Sequence, residues 1–219
     1  MAKKETVTSD AIRIRCRGSF LRLIEPKPFD GKGDPRWEAT GILDPADKGQ
    51  LESIKLILST AGQVSMKAYG MVPLSLRRLA ARFIPGQAAP PAETPDDGIE
   101  MGFYDGSGKA SQHPETYSAY AGMLIVPAHN SMLKPAVAGR SGKEALPGDK
   151  QFPYSGCYGI MSVTLWGQDN QYGRRIGINL RGFQFDRDGE PFGSGGDIAA
   201  EDEFEALEDS APASGGLFD

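Results

Sequence analysis

The sequence has little chemistry for cross-links or metals. It contains two cysteines, Cys16 and Cys157, and two histidines, His113 and His129, in 219 residues. Two distant cysteines in strand-like stretches make no disulfide framework; they read as buried, reduced thiols in a cytosolic protein. Two scattered histidines give no zinc spacing, so no metal is expected. No apolar run follows the basic residues of the N-terminal MAKKETVTSD, and no stretch is long enough to span a membrane. Neither a signal peptide nor a membrane partner is therefore expected. Nucleotide and hydrolase motifs are also missing: there is no Walker-type loop, no GxSxG and no HExxH. DGSG and GSGG lack the flanking strand, helix and lysine of a phosphate cradle, and read as a turn and a linker. Asp169, Asp186 and Asp188 lie in turn sequence, where carboxylates commonly bond the local backbone. The expectation is a protein that is not an enzyme and carries no cofactor.

One absence is regional. Residues 197–219 hold eight acids (Asp197, Glu201, Asp202, Glu203, Glu205, Glu208, Asp209, Asp219) and no Lys or Arg. Setting them aside leaves 21 acids against 24 bases, so a chain of net charge −5 has a body of net +3. Such asymmetry points to a nucleic acid partner or to self-masking. The tail repels itself and has few apolar residues to bury, so it is expected to stay disordered. Phe204, Leu207, Leu217 and Phe218 stand in it as apolar anchors among charges.

What is present favours short strands and turns: 28 Gly, 16 Pro and 39% hydrophobic residues. Residues 156–167 alternate. Cys157, Gly159, Met161, Val163 and Leu165 form an inward face; Tyr158, Ile160, Ser162, Thr164 and Trp166 face outward. Residues 168–173 turn the chain. Ile176, Ile178 and Leu180 then point inward on a return strand, with Gly177, Asn179 and Arg181 outward and Arg174 and Arg175 at its entrance. Antiparallel pairing puts aromatics, an amide and guanidiniums on one outer surface. That set suits the bases and phosphates of a single-stranded nucleic acid; strand-edge packing is the alternative use of such rings. AIRIRCRG alternates likewise, burying Ile12, Ile14 and Cys16 and displaying Arg13, Arg15 and Arg17. Those arginines suit an edge strand guarded by charge, or an anionic partner.

The remaining chain supplies connections. Residues 1–10 read as a disordered arm, residues 20–25 as strand, residues 25–35 as a long turn and residues 36–43 as a strand containing Trp37. Asp44-Pro45 reads as N-cap and first position of a helix. Its stripe of Leu51, Ile54 and Leu58 would cover a barrel end. Residues 74–83 read as a solvated surface helix with Arg77, Arg78 and Arg82. Residues 85–98 form a loop, and residues 102–111 look too short and polar to start a core. Residues 122–128 are an apolar strand whose Pro127 marks an edge or bulge.

PYSGCY (153–158), WGQDN (166–170) and RDGEPFG (187–193) together resemble the signature of a tailed-phage single-stranded-DNA-binding protein family. EPKPFDGKGDPRWEAT (25–40) is similar to that family's early segment, where a Tyr often stands at the position of Trp37. AGMLIVPAHNSMLKPAV (121–137) is similar to a segment with a basic residue before proline, here Lys134-Pro135. The sequence departs from the pattern at His129, where Lys is expected, and at Phe185-Asp186. The resemblance implies a mainly β, OB-fold-like five-stranded barrel with one or two capping helices over residues 1–193. It also implies an acidic tail over residues 194–219 that competes with DNA and contacts a polymerase, helicase or primase. The implied setting is phage DNA replication and recombination in the cytoplasm of an infected bacterium, with a homodimer left open. The candidate stacking residues are Tyr158, Trp166 and Trp37. The candidate phosphate contacts are Arg13, Arg15, Lys134, Arg174, Arg175 and Arg181. The candidate partner contacts are Phe204, Leu217, Phe218 and Asp219. The alternative is a protein-interaction module whose tail docks a replication partner and whose barrel binds little nucleic acid.

Overall fold

The alternating stretches become strands that close on one another. The computed structural model describes residues 6–29, 32–171 and 173–192. Among these, the chain runs β1 (Val7–Thr8), β2 (Ile12–Phe29), β3 (Lys32–Leu43), α1 (Lys48–Tyr69), α2 (Leu74–Phe83), β4 (Ile99–Met101) and β5 (Tyr104–Asp105). It continues through α3 (Ser107–Gln112), α4 (Pro114–Tyr117), a 3-10 turn (Ser118–Tyr120), β6 (Leu124–Asn130), β7 (Ala136–Ala138), β8 (Tyr158–Asn170) and β9 (Gly173–Arg187).

Five strands form a closed barrel in the order β2, β3, β6, β9, β8 and back to β2. All these pairings are antiparallel except β6 with β9, which is parallel and bridges His129 to Asn179. Closure removes the exposed edges that an open sheet of this length would carry. The inward faces are those expected from the alternation. Ile14, Met161, Val163, Leu165 and Leu180 are fully buried, joined by Ile176 and Ile178. Cys16 and Cys157 are buried free thiols. Burial pushes Cys16 up to about 12 and Cys157 to about 11, so neither ionises near neutral pH.

Helix α1 buries Ile54, Ile57, Leu58, Ala61 and Val64 against the barrel core. It also closes a gap in the hydrogen bonding. Along residues 12–16, β2 pairs with β8 alone, and there the Ser53 hydroxyl accepts from the Arg15 N–H at 2.9 Å. The helix starts later than the sequence suggests. Asp47, not Asp44, is the N-cap, its Oδ1 accepting from the Gln50 N–H at 2.9 Å. Asp44 instead accepts from the Ala46 N–H in the turn before it. Both residues are good caps, and the position of the buried stripe decides between them.

Other expectations are also corrected. Residues 25–35 are not one long turn; β2 and β3 remain paired out to Phe29 and Lys32. The three prolines are accommodated in a two-stranded ribbon whose register slips between Arg22 and Lys27 and again before Phe29. Part of the expected N-terminal arm is strand: Val7 and Thr8 pair with Gly167 and Trp166. Helix α2 exposes Arg77, Arg78 and Arg82 as expected, yet it buries Leu74, Leu76 and Phe83. Residues 102–111 do contribute to the core through Phe103, which is 1% exposed. Pro127 sits where β6 has β3 on one side and an opening on the other, between the pairings with β5 and β9. The acidic tail lies outside the described residues.

Candidate nucleic-acid interface

The outer faces of β2, β3, β6, β9 and β8 lie side by side around the barrel. The segment of β4, β5, α3 and α4 folds against part of this surface and makes one wall of a groove. The groove has two stretches that meet at Pro127 and His129.

The first stretch is built around Trp166. Its indole lies flat across β9, directly over Gly177. A Cβ at Gly177 would stand 2.1 Å from Trp166 Cζ2, so only glycine lets the ring lie there. The indole Nε1–H donates to Asn179 Oδ1 at 3.1 Å, which fixes the ring's orientation. Met101, Gly102, His129, Arg175 and Ile178 complete this stretch. Arg175 is paired with Glu100 at 3.2 Å. The His129 imidazole is half-buried, and its pKa is held below the ordinary histidine range by burial and then by Arg36, against the pull of Glu38. It is therefore neutral at neutral pH.

The second stretch carries more rings and more cations. Phe20, Tyr104, Tyr117 and Tyr120 line it with Arg22, Arg36, Lys109 and His129. Phe20 projects from a bulge: β2 advances three residues between Ser19 and Arg22 while β3 advances two between Thr40 and Glu38. Phe20 has φ 49°, a conformation that costs a bulky residue energy and turns its ring outward, leaving it 40% exposed. Phe20 and Tyr117 are 6.1 Å apart between centroids, and Tyr117 and Tyr120 are 5.0 Å apart. The Tyr120 hydroxyl donates to Ser19 Oγ at 3.3 Å. Lys109 Nζ stands 4.8 Å from the Tyr104 ring and 5.5 Å from the Tyr117 ring. Burial, then the neighbouring Tyr117, pushes Tyr104 up to about 12, so the phenol keeps its proton. The acid in this stretch is Glu38, and it pairs with both Arg22 at 3.1 Å and Arg36 at 3.4 Å. One carboxylate thus lies between two guanidiniums on this floor.

The sequence-nominated residues divide between several places. Trp166 and Arg175 enter the groove. Arg174 lies beside it and donates to the Asp97 carbonyl. Tyr158 and Arg15 lie in a separate cleft with Asp47, Gly49, Asp186 and Arg187. There the Tyr158 ring has the Arg187 guanidinium at 4.1 Å and that of Arg17 at 5.9 Å. Arg17 also covers Phe192 at 4.0 Å and donates to the carbonyls of Gly156 and Glu190, which pins the end of β9's following turn. Arg13 is exposed opposite Ser162 on β8. Arg181 is the extra residue of a bulge in β9, and Lys134 is exposed after β6. Trp37 donates from Nε1 to the Ile24 carbonyl at 3.3 Å, and strand alternation turns it away from Arg36 and Glu38. Phe204, Leu217, Phe218 and Asp219 lie outside the described residues.

Sequence reasoning missed Phe20, Arg22, Arg36, Tyr104, Lys109, Tyr117 and His129. A signal was present in residues 102–120, where four aromatics and a lysine stand among small polar residues. Without a strand period that stretch gives no face, so nothing in it says which rings converge.

A five-stranded closed barrel with an aromatic, cation-lined groove on its outer face has the build of an oligonucleotide-binding fold. Residues 9–213 match the family described as Enterobacter phage Enc34, ssDNA-binding protein, and the chain belongs to that family. The putative protein p50 of Acyrthosiphon pisum secondary endosymbiont phage 1 is 41% identical over 91 residues. That match covers 42% of this chain and 47% of the relative, just under half of its length. The single-stranded DNA-binding protein from bacteriophage Enc34 has a similar structure, with a TM-score of 0.57 at 21% identity over 84% of this chain and 85% of that one. Its complex with ssDNA gives a TM-score of 0.59 at 21% identity, covering 84% and 89%. At this identity the likeness establishes the fold.

Proposed function

We propose that the chain binds single-stranded DNA along this groove, largely without sequence preference, and serves phage DNA replication and recombination as a non-enzymatic coat. The observation that carries the reading is the continuity of two ring-and-cation clusters through Pro127 and His129. Unpaired bases stack on Trp166 and on Phe20, Tyr104 or Tyr117, since every base has a π-face. Arg22, Arg36, Lys109 and Arg175 neutralise phosphates and release counterions. Arg13, Arg174, Arg181 and Lys134 extend the phosphate track, Arg15 and Tyr158 form a second contact in their own cleft, and Trp37 offers a ring on the ribbon. The tail acts as a tethered polyanion that competes with DNA and, once displaced, offers Phe204, Leu217, Phe218 and Asp219 to a polymerase, helicase or primase.

The test is a salt-titrated binding assay with an unstructured oligo(dT), a duplex and a single-stranded RNA of one length. Oligo(dT) should quench tryptophan fluorescence, its affinity should fall with rising salt, and the duplex should bind much more weakly. Equal affinity for duplex and oligo(dT) at matched salt would remove base stacking from the mechanism.

A further inference from the structure

Beyond His129, β6 passes into a short loop, residues 131–135. Two large aliphatic side chains stand there side by side, Met132 at 90% exposure and Leu133 at 70%. Large aliphatic side chains gain by leaving water, so two neighbours left exposed mark a surface with a use. The loop is held in place. Asn130 Oδ1 accepts from the N–H groups of Met132 at 3.0 Å and Leu133 at 2.9 Å, while Asn130 Nδ2 donates to the Leu180 carbonyl at 3.0 Å. After the buried Pro135, Ala136 pairs with Gly182. Both ends of the loop are thus clamped to β9. Arg181 lies between the two clamps and is exposed, and so is Lys134. An apolar pair therefore precedes the exposed Lys134 in a loop anchored on both sides of Arg181, about 10 Å along the chain from His129 at the rise of a strand.

We propose that Met132 and Leu133 form a wedge that enters the base stack of a DNA strand lying in the groove, with Lys134 and Arg181 holding phosphates nearby. The inference rests on the groove reading above. Aliphatic tips do not stack as rings do, but Met and Leu inserted between neighbouring bases part them. The Asn130 clamp fixes the tip beforehand, so insertion costs little additional ordering. A second copy of the chain would also cover an apolar tip. The short distance along the chain to His129 in the groove, and the exposed Lys134 and Arg181 near the loop, favour a nucleic acid strand. The tip then adds a local parting of neighbouring bases to the coating of the strand.

The experiment compares the full chain with its Met132→Ser/Leu133→Ser double variant. Both side chains are exposed, so the core is untouched and the melting temperature should be unchanged. On an oligonucleotide containing 2-aminopurine, wild type should raise the fluorescence of the unstacked base and the variant should lose most of that rise. Opening of a short DNA hairpin should weaken by about tenfold or more in the variant, as expected when a step is no longer parted. If wild type does not bind oligo(dT), the groove reading falls and the wedge with it. If wild type binds but both proteins give the same 2-aminopurine signal and hairpin opening, the wedge alone is wrong. A dimeric wild type and a monomeric variant by light scattering would also overturn it, making the tip a self-association surface.

Discussion

At the scale of single residues, the groove depends on what glycine permits and what a bulge forces. Trp166 lies flat because Gly177 has no side chain beneath it, and Phe20 points outward because its backbone is held at φ 49°. Trp166→Ala should lose roughly 1–3 kcal/mol of single-strand affinity while the barrel stays folded. Gly177→Ala tests the same ring from below. The added methyl lifts the indole and breaks its bond to Asn179, so affinity should fall although no DNA-contacting atom has been removed. Oligo(dT) titrations of both variants, with thermal melts alongside, check this. Normal binding by a folded Trp166→Ala protein would move the stacking platform elsewhere. The cysteines were legible from alternation alone, because strand parity puts Cys16 and Cys157 on the inward face.

At the scale of elements, periodicity located strands and helices, while local competition set their ends. The hairpin of β8 and β9 was readable because a period of two with β-branched and aromatic residues has one structural meaning. The β2–β3 ribbon was not: its prolines and glycines read as a turn, yet pairing continues through them. The start of α1 was misread because Asp44 and Asp47 offer equivalent carboxylates, and tertiary packing selects Asp47. Asp47→Ala should therefore destabilise the protein by about 1 kcal/mol, while Asp44→Ala, which removes only a turn contact, should cost less. Denaturant melts of the two variants decide it, and an equal loss in both would return the cap to Asp44.

At the scale of the whole molecule, charge is divided between a body of net +3 and a 23-residue acidic segment. In the function proposed above, tethering raises the effective concentration of those carboxylates near the cation-lined groove. Deleting residues 197–219 should raise oligo(dT) affinity, most of all at low salt, where the competition is least screened. The same deletion should abolish capture of a replication enzyme while the melting temperature stays unchanged. If the truncated protein binds with the same affinity and salt slope as the full chain, self-masking is wrong. Phe218→Ala in a partner pull-down then separates a partner hook from a solubilising tail.

The sequence by itself determined the class of fold, the faces of the alternating strands, the segregation of charge and the membership of Trp166 and Arg175 in an outer surface. These follow from properties that are local along the chain: period, turn chemistry and composition. Only the tertiary structure decided which rings share a groove. Phe20 comes from a bulge in β2, Tyr104 and Tyr117 from a stretch with no period, and His129 from the strand where the barrel closes; Tyr158, eight residues from Trp166 on the same face of β8, goes to another cleft. Side chains far apart in sequence converge only because the barrel closes and the segment from β4 to α4 folds back against it. That convergence is set by non-local packing, which no window of the sequence contains.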